Sequence, residues 1–304
     1  MRIVLTVLIC AGLLMPRIVV AQPAPARPAA SPLPNESLVV TAGWLASHLN
    51  DPSVVVIEVV HEPGKRGQHI SGSRALFYRH MTVSRDGLST ELPPVDSLRA
   101  LIEGLGISNA SHVVVYANEA PMATRLLMTL DYLGHQRISY LDGGMTTWSA
   151  ERNPVTDSEP VITRGSFTPS PRSDMIVTAD WIAPRIGKPG TALIDTRTDG
   201  EFNGSGNRSG MPSAGHLAGA RQLEWESLFT TENALLLKDR AALRQLFADR
   251  AHSGDTVVTY CWVGYRASAT YFAARLLGYD ARFYDGSYQD WQVRKLPVKA
   301  GIAP

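Results

Sequence analysis

Cys261 sits where an apolar run, Thr256-Val257-Val258-Thr259-Tyr260, gives way to a helical pattern beginning near Ala267, and it is followed by Trp262-Val263-Gly264-Tyr265-Arg266. Free cysteine is among the most buried residue types, so a thiol alone reads as core filling. Three neighbours point to chemistry instead. Gly264 permits a turn closed to bulkier residues, Arg266 supplies a fixed positive charge, and the start of a helix offers unsatisfied N–H groups. Donors ringed around a sulfur favour thiolate over thiol and lower a pKa that is about 8.5 in free cysteine. Cys261 is therefore the candidate nucleophile, and Arg266 with Trp262, Val263, Gly264 and Tyr265 forms the candidate anion grip.

The elements that position this loop must come from a chain of 304 residues, long enough for two ordinary domains at roughly 150 residues each. Hydrophobic residues make up 44% and charged residues 19%, which gives apolar material for two cores and argues against wholesale disorder. A formal net charge of +1 without a basic run gives no reason to expect nucleic acid or an anionic membrane as partner.

The beginning of the chain reads as a targeting segment. Arg2 precedes an apolar stretch from Ile3 to Met15, Pro16-Arg17 breaks it, and Val19-Val20-Ala21 offers a cleavage site before Gln22. Residues 1–21 are thus expected to be a signal peptide. The stretch is short against the about 20 apolar residues of a transmembrane helix, so stable membrane insertion is not expected. Cys10 lies in this leader, and Val7-Leu8-Ile9 before it lacks the small residue of a lipoprotein site. Residues 22–36, rich in Pro and Ala, read as an extended tether. Export, with the periplasm as expected location, would leave Cys261 without a disulfide partner in an oxidising compartment.

The chain repeats itself. Val39-Val40-Thr41-Ala42 with Trp44 returns as Ile176-Val177-Thr178-Ala179 with Trp181, and Val56-Ile57-Glu58-Val59 returns as Leu193-Ile194-Asp195-Thr196. His69-Ile70-Ser71-Gly72 matches His216-Leu217-Ala218-Gly219, after a Gly- and Ser-rich insertion between Phe202 and Ala214. Val113 to Tyr116 matches Val257 to Tyr260, and Asp142-Gly143-Gly144 with Trp148 matches Asp285-Gly286-Ser287 with Trp291. Short β-branched runs alternate with helical patterns in each copy, so the fold class is α/β: two homologous domains, each a mostly parallel sheet flanked by helices. Their bounds read as 37–152 and 172–304, joined by a Pro-rich linker at 153–171. Ligands of such sheets sit beyond the carboxyl ends of the strands, where Cys261 lies. In the first copy Ala117, Ala120 and Met122 stand where the second has Cys261, Gly264 and Arg266. That copy is expected to be catalytically silent and to wall the pocket.

In this order and in duplicate, these pieces resemble the rhodanese family, in particular tandem-domain sulfurtransferases of the thiosulfate and 3-mercaptopyruvate type. The resemblance rests on Asp195-Thr196-Arg197 with Glu201-Phe202, on Gly215 to Ala220, on the loop from Cys261 to Arg266 and on Tyr284-Asp285-Gly286-Ser287 with Trp291. It implies a persulfide mechanism, in which the Cys261 thiolate takes the outer sulfur of an anionic donor and passes it to cyanide or to a thiol, a redox protein among the candidates. It also implies Arg197 near the donor, with a salt bridge to Glu201 or Asp199 as the alternative, and Asp195 as support for the loop. His69 and His216, at matching positions, read as structural. No metal-ligand spacing is present, and neither metal nor cofactor is expected. Thiosulfate is favoured because Arg266 suits a compact oxyanion, although Trp262-Val263 departs from the loops of both donor classes. The alternatives are a 3-mercaptopyruvate sulfurtransferase and a non-enzymatic persulfide carrier or binding module. A cysteine phosphatase fits less well, because Arg266 lies five positions after Cys261 rather than six and no histidine precedes the cysteine.

Overall fold

The computed structural model describes residues 38–62, 64, 66–206 and 215–304. The leader and tether expected at 1–36 lie outside the described residues, as does most of the Gly- and Ser-rich insertion. Residues Pro32–Pro304 belong to one compact unit. Within it stand two five-stranded parallel sheets of identical strand order. The first runs Val39–Val40, Ile138–Leu141, His112–Ala117, Val54–Val60, Arg74–Phe77. The second runs Ile176–Val177, Asp280–Tyr284, Thr256–Tyr260, Thr191–Asp195, Arg221–Gln222. Register repeats as well, since Glu58 lies opposite Tyr116 and Asp195 opposite Tyr260.

Local chemistry repeats with the topology. Thr41 caps the helix Ala42–His48 by accepting from the Trp44 amide at 3.1 Å, and Thr178 caps Ala179–Ile182 by accepting from the Trp181 amide at 3.3 Å. Trp148 and Trp291 each donate an indole N–H to the carbonyl six residues on, at Pro154 and Pro297. Both ring nitrogens of His69 face carbonyls, of Gly67 and Ser158, and those of His216 face the carbonyls of Phe202 and Ala303. A short antiparallel ladder closes each repeat, His69–Ile70 with Val155–Thr156 and His216–Leu217 with Val298–Lys299. The segment read as a linker lies along the first repeat: Phe167 is buried against His135, and Ser170 and Arg172 donate backbone N–H groups to Leu133 and Tyr132.

Side chains alternate across a strand with period two, and this decides where the chemistry can be. In the second sheet Leu193, Val258 and Tyr260 join an apolar cluster with Trp291 on one face. Ala192, Ile194, Val257 and Cys261 face the opposite way, into a cluster shared with Val113, Val115 and Ala117 of the first sheet. The nucleophile thus points at the seam between repeats. That seam is built on two equivalent helices, Ala120–Tyr132 and Ala267–Leu277, both buried over nearly their whole length. Thr124 and Ser268 exchange a hydrogen bond of 2.9 Å across it, and Asp131 accepts from Tyr271 at 2.6 Å and from Arg275 at 2.8 Å.

A second polar junction lies where the strand Leu88–Glu91 meets the second repeat. Asp285 accepts from the Leu92 amide at 2.7 Å and from Arg125 at 2.8 Å. One carboxylate oxygen of the neighbouring Glu91 is buried without a partner. Burial, reinforced by the charge of Asp285 and opposed by Arg125, pushes the Glu91 pKa from 4.5 up to about 7. A carboxyl whose folded pKa is raised contributes its stability fully below the unfolded value, and the contribution is lost as pH rises through the folded one. Wild type is therefore expected to lose about 1–2 kcal/mol against urea between about pH 4.5 and pH 8 through this group. Glu91→Gln should flatten that interval and exceed wild type in stability above pH 7; parallel pH profiles of the two proteins would refute the assignment.

Candidate active site

The strand Thr256–Tyr260 ends at Cys261, and the next helix does not begin until Ala267. In the first repeat the helix begins at Ala120, the position matching Gly264. The chain that forms an open loop in the second repeat is therefore already wound in the first from the position of Gly264 onward. Gly264 has φ of +79°, and a Cβ there would stand 2.9 Å from the Asp285 carbonyl and 3.0 Å from an Arg125 nitrogen. Both conformation and space thus require glycine.

Hydrogen bonds to the loop carbonyls keep it from winding. The Cys261 carbonyl accepts from the Tyr288 amide and the Trp262 carbonyl from the Gln289 amide, each at 3.0 Å. The Val263 carbonyl accepts from the Thr90 hydroxyl of the first repeat. In a helix these three oxygens would accept from amides four residues on. The backbone N–H groups of residues 262–267 accordingly have no acceptor among the described residues. They are the donors left for an anion.

Behind the nucleophile, the Cys261 amide donates to Ser287 Oγ at 3.3 Å, and Ser287 Oγ donates to the Tyr284 carbonyl at 2.8 Å. Ser287 is wholly buried at φ of +53°, where the first repeat has Gly144 at φ of +52°. A non-glycine residue held there costs of order 1 kcal/mol or more, and the hydroxyl bridge from nucleophile to strand end accounts for its presence.

Cys261 has no exposed surface of its own, yet it lines a cavity of about 810 Å³ together with Trp262, Val263, Tyr265 and Arg266. The first repeat closes the opposite side with His61, Tyr78, Arg79 and Glu119. Glu119 accepts from the Tyr265 hydroxyl at 2.8 Å and contacts His61 at the same distance. Burial and the Glu119 carboxylate hold the Tyr265 phenol far above its ordinary pKa.

Arg266 does not stand alone. Its two terminal nitrogens meet both oxygens of Glu201, at 2.7 and 2.8 Å. Glu201 is also the third residue of a capping box, accepting from Thr198 at the start of the helix Asp199–Asn203. Burial would raise its pKa, but the Arg266 and Thr198 hydrogen bonds prevail and hold it near 2. The sequence indicates the cation but not its counter-charge, since Glu201 is 65 positions away.

Arg197 departs from expectation. It lies wholly buried outside the cavity lining, grips Asp195 through a pair at 2.6 Å, donates to the Gly215 carbonyl at 2.8 Å, and stacks 3.9 Å from the Tyr288 ring centre. The salt bridge to Glu201 or Asp199 is not formed, and the guanidinium is held on Asp195 rather than in the cavity wall. The first repeat shows why: Arg66 makes the equivalent buried pair with Glu58 at 2.6 Å, without any nucleophile nearby. Asp195 accordingly anchors Arg197 and the turn beneath the site. Trp262 serves two purposes, lining the cavity and packing 5.3 Å from the Tyr288 ring.

The strained serine generates a test. Ser287→Ala keeps the strain and removes the bridge, whereas Ser287→Gly removes both. Ala should therefore be less stable than Gly by about 1 kcal/mol in urea unfolding, while both variants lose activity at Cys261. Ala matching or exceeding Gly in stability would show that the left-handed conformation carries no cost here.

Comparison with known proteins agrees with this construction. Residues 41–151 and 178–294 each match the rhodanese-like domain. The chain is 28% identical over 257 residues to a thiosulfate sulfurtransferase of Azotobacter vinelandii, covering 84% of this chain and 93% of that protein. It is likewise 28% identical over 269 residues to a probable 3-mercaptopyruvate sulfurtransferase of Pseudomonas aeruginosa, covering 83% and 94%. The crystal structure of SseA from Escherichia coli superposes with a TM-score of 0.71 at 23% identity, covering 82% of this chain and 98% of that one, and so shares its fold. With two matched segments spanning most of its length and one five-stranded parallel sheet of the same order in each, the chain belongs to the rhodanese-like domain family.

Proposed function

We propose that this protein takes sulfane sulfur from thiosulfate onto Cys261 and delivers it to cyanide or a thiol. One observation carries the reading: the family nucleophile lines a cavity beside a loop whose amides have no other acceptor. That the chain is a sulfurtransferase follows from its family and from relatives of that activity aligned over most of its length.

The chemistry balances with the groups present. The Cys261 thiolate attacks the outer sulfur of thiosulfate, the bond between the two donor sulfurs breaks, and sulfite leaves with the electron pair. Cys261 then carries a persulfide anion. Cyanide attacks the outer sulfur, thiocyanate departs, and the thiolate returns. Thiolate and donor carry three negative charges between them, so approach needs donors already in place; the amides of 262–267 and the Arg266 guanidinium supply them. The relatives named thiosulfate sulfurtransferase support thiosulfate as donor, with 3-mercaptopyruvate as the alternative. Export to the periplasm is part of the same proposal and rests on the sequence of residues 1–21 alone.

Two experiments test it. Intact-mass spectrometry after incubation with thiosulfate should show one added sulfur, released by cyanide, and Cys261→Ser should abolish uptake and lower turnover by roughly a thousandfold or more. An undiminished serine variant would dismiss the persulfide. Arg266→Ala leaves the Glu201 carboxylate unpaired in the cavity wall, so thiosulfate turnover should fall roughly 10- to 100-fold, more than turnover of a weakly charged donor. Adding Glu201→Gln should recover part of that loss; equal losses for both donors would assign Arg266 to loop shape alone.

A further inference from the structure

The first repeat contributes a group to the cavity that neither the loop nor the family resemblance accounts for. Tyr78 lies in the short helical turn Tyr78–Met81, and its ring packs edge-on against Tyr265 at 5.2 Å and 85°. Its hydroxyl is buried and has no hydrogen-bond partner among the described residues, although the residue lines the same cavity as Cys261. A buried hydroxyl without an acceptor is costly, and such groups call for an explanation. The hydroxyl makes no hydrogen bond to Cys261, yet Cys261 and Arg125 are both among the groups that act electrostatically on the phenol. One further sulfur on Cys261 extends the thiolate outward by about 2 Å.

We infer that the Tyr78 hydroxyl donates a hydrogen bond to the outer sulfur of the Cys261 persulfide, so that the repeat without a nucleophile holds the cargo of the repeat that has one. The inference rests on the persulfide reading above and adds to it a donor from the other half of the molecule. The persulfide anion is the acceptor the hydroxyl lacks in the unloaded protein. Burial raises the Tyr78 pKa to about 12, so the phenol keeps its proton across the working range and acts as donor throughout. Arg125, whose Nε and Nη1 are also buried without partners among the described residues, places a fixed positive charge near the Tyr78 phenol.

Tyr78→Phe tests this in the full chain, because the ring and its contact with Tyr265 remain. The fraction of protein carrying one extra sulfur is measured by intact mass at fixed ratios of thiosulfate to sulfite. The alkylation rate of unloaded Cys261 by iodoacetamide is measured alongside. The variant should need about a tenfold higher ratio for half-loading, the size of effect a hydrogen bond to a charged group gives, while its unloaded alkylation rate stays within about twofold of wild type. Unchanged loading overturns the inference and leaves the persulfide standing, as does a parallel fall in loading and alkylation, which would mean a disturbed loop. Wild type that alkylates but takes up no sulfur overturns both readings together. If Tyr78→Phe does not fold, Tyr78→His, which keeps a ring and a donor, is read the same way: loading nearer to wild type than that of Tyr78→Leu supports the inference, and equal loading of the two overturns it.

Discussion

Six residues between strand and helix must stay unwound for this protein to have a site at all. Their carbonyls are the reason they do. Those of Cys261 and Trp262 are taken by amides of the helix that starts at Ser287, and that of Val263 by a hydroxyl of the other repeat. Gly264 then turns the chain through a conformation that excludes a helix. Diverting the acceptors frees the donors. In the first repeat the same stretch is wound from Ala120 onward, and Pro121, at the position of Tyr265, has no N–H to offer.

Charge is handled by pairing rather than by accumulation. Arg266 is matched by Glu201, Arg197 by Asp195, Arg125 by Asp285 and Arg275 by Asp131. Each pair ties together segments distant in sequence or fixes a turn, and an isolated partner would be a buried ion at a cost of several kcal/mol. The cavity therefore presents an anion with oriented dipoles, with Arg266 paired to Glu201, and with Arg79 from the first repeat.

Much of this was legible in the sequence. The duplication implied that both copies share one α/β architecture, because the matching pieces come in matching order, and the contrast of Cys261, Gly264 and Arg266 with Ala117, Ala120 and Met122 identified which repeat carries the nucleophile. The face on which the thiol stands was not legible, because Thr256-Val257-Val258-Thr259-Tyr260 carries apolar residues on both parities. Partnership was not legible either. Nothing in Asp195-Thr196-Arg197 distinguishes an arginine that reaches forward to a substrate from one that folds back two residues, and Arg66 lies eight positions from Glu58, so the two repeats offer no common spacing to compare. Glu201 and Tyr78 meet the site only through tertiary packing. Ser287 had a trace in its alignment with Gly144, a position where glycine signals a left-handed backbone.

Asp285 divides its two oxygens between an amide and a guanidinium of the other repeat, one residue before Gly286 and two before the serine beneath the nucleophile. The copy without a thiol is therefore part of the support of the copy that has one. Its Leu92 backbone and Arg125 side chain hold the turn that leads to Ser287, so damage to either half of the chain reaches the nucleophile. The duplication has left one enzyme whose two ancestors can no longer be separated.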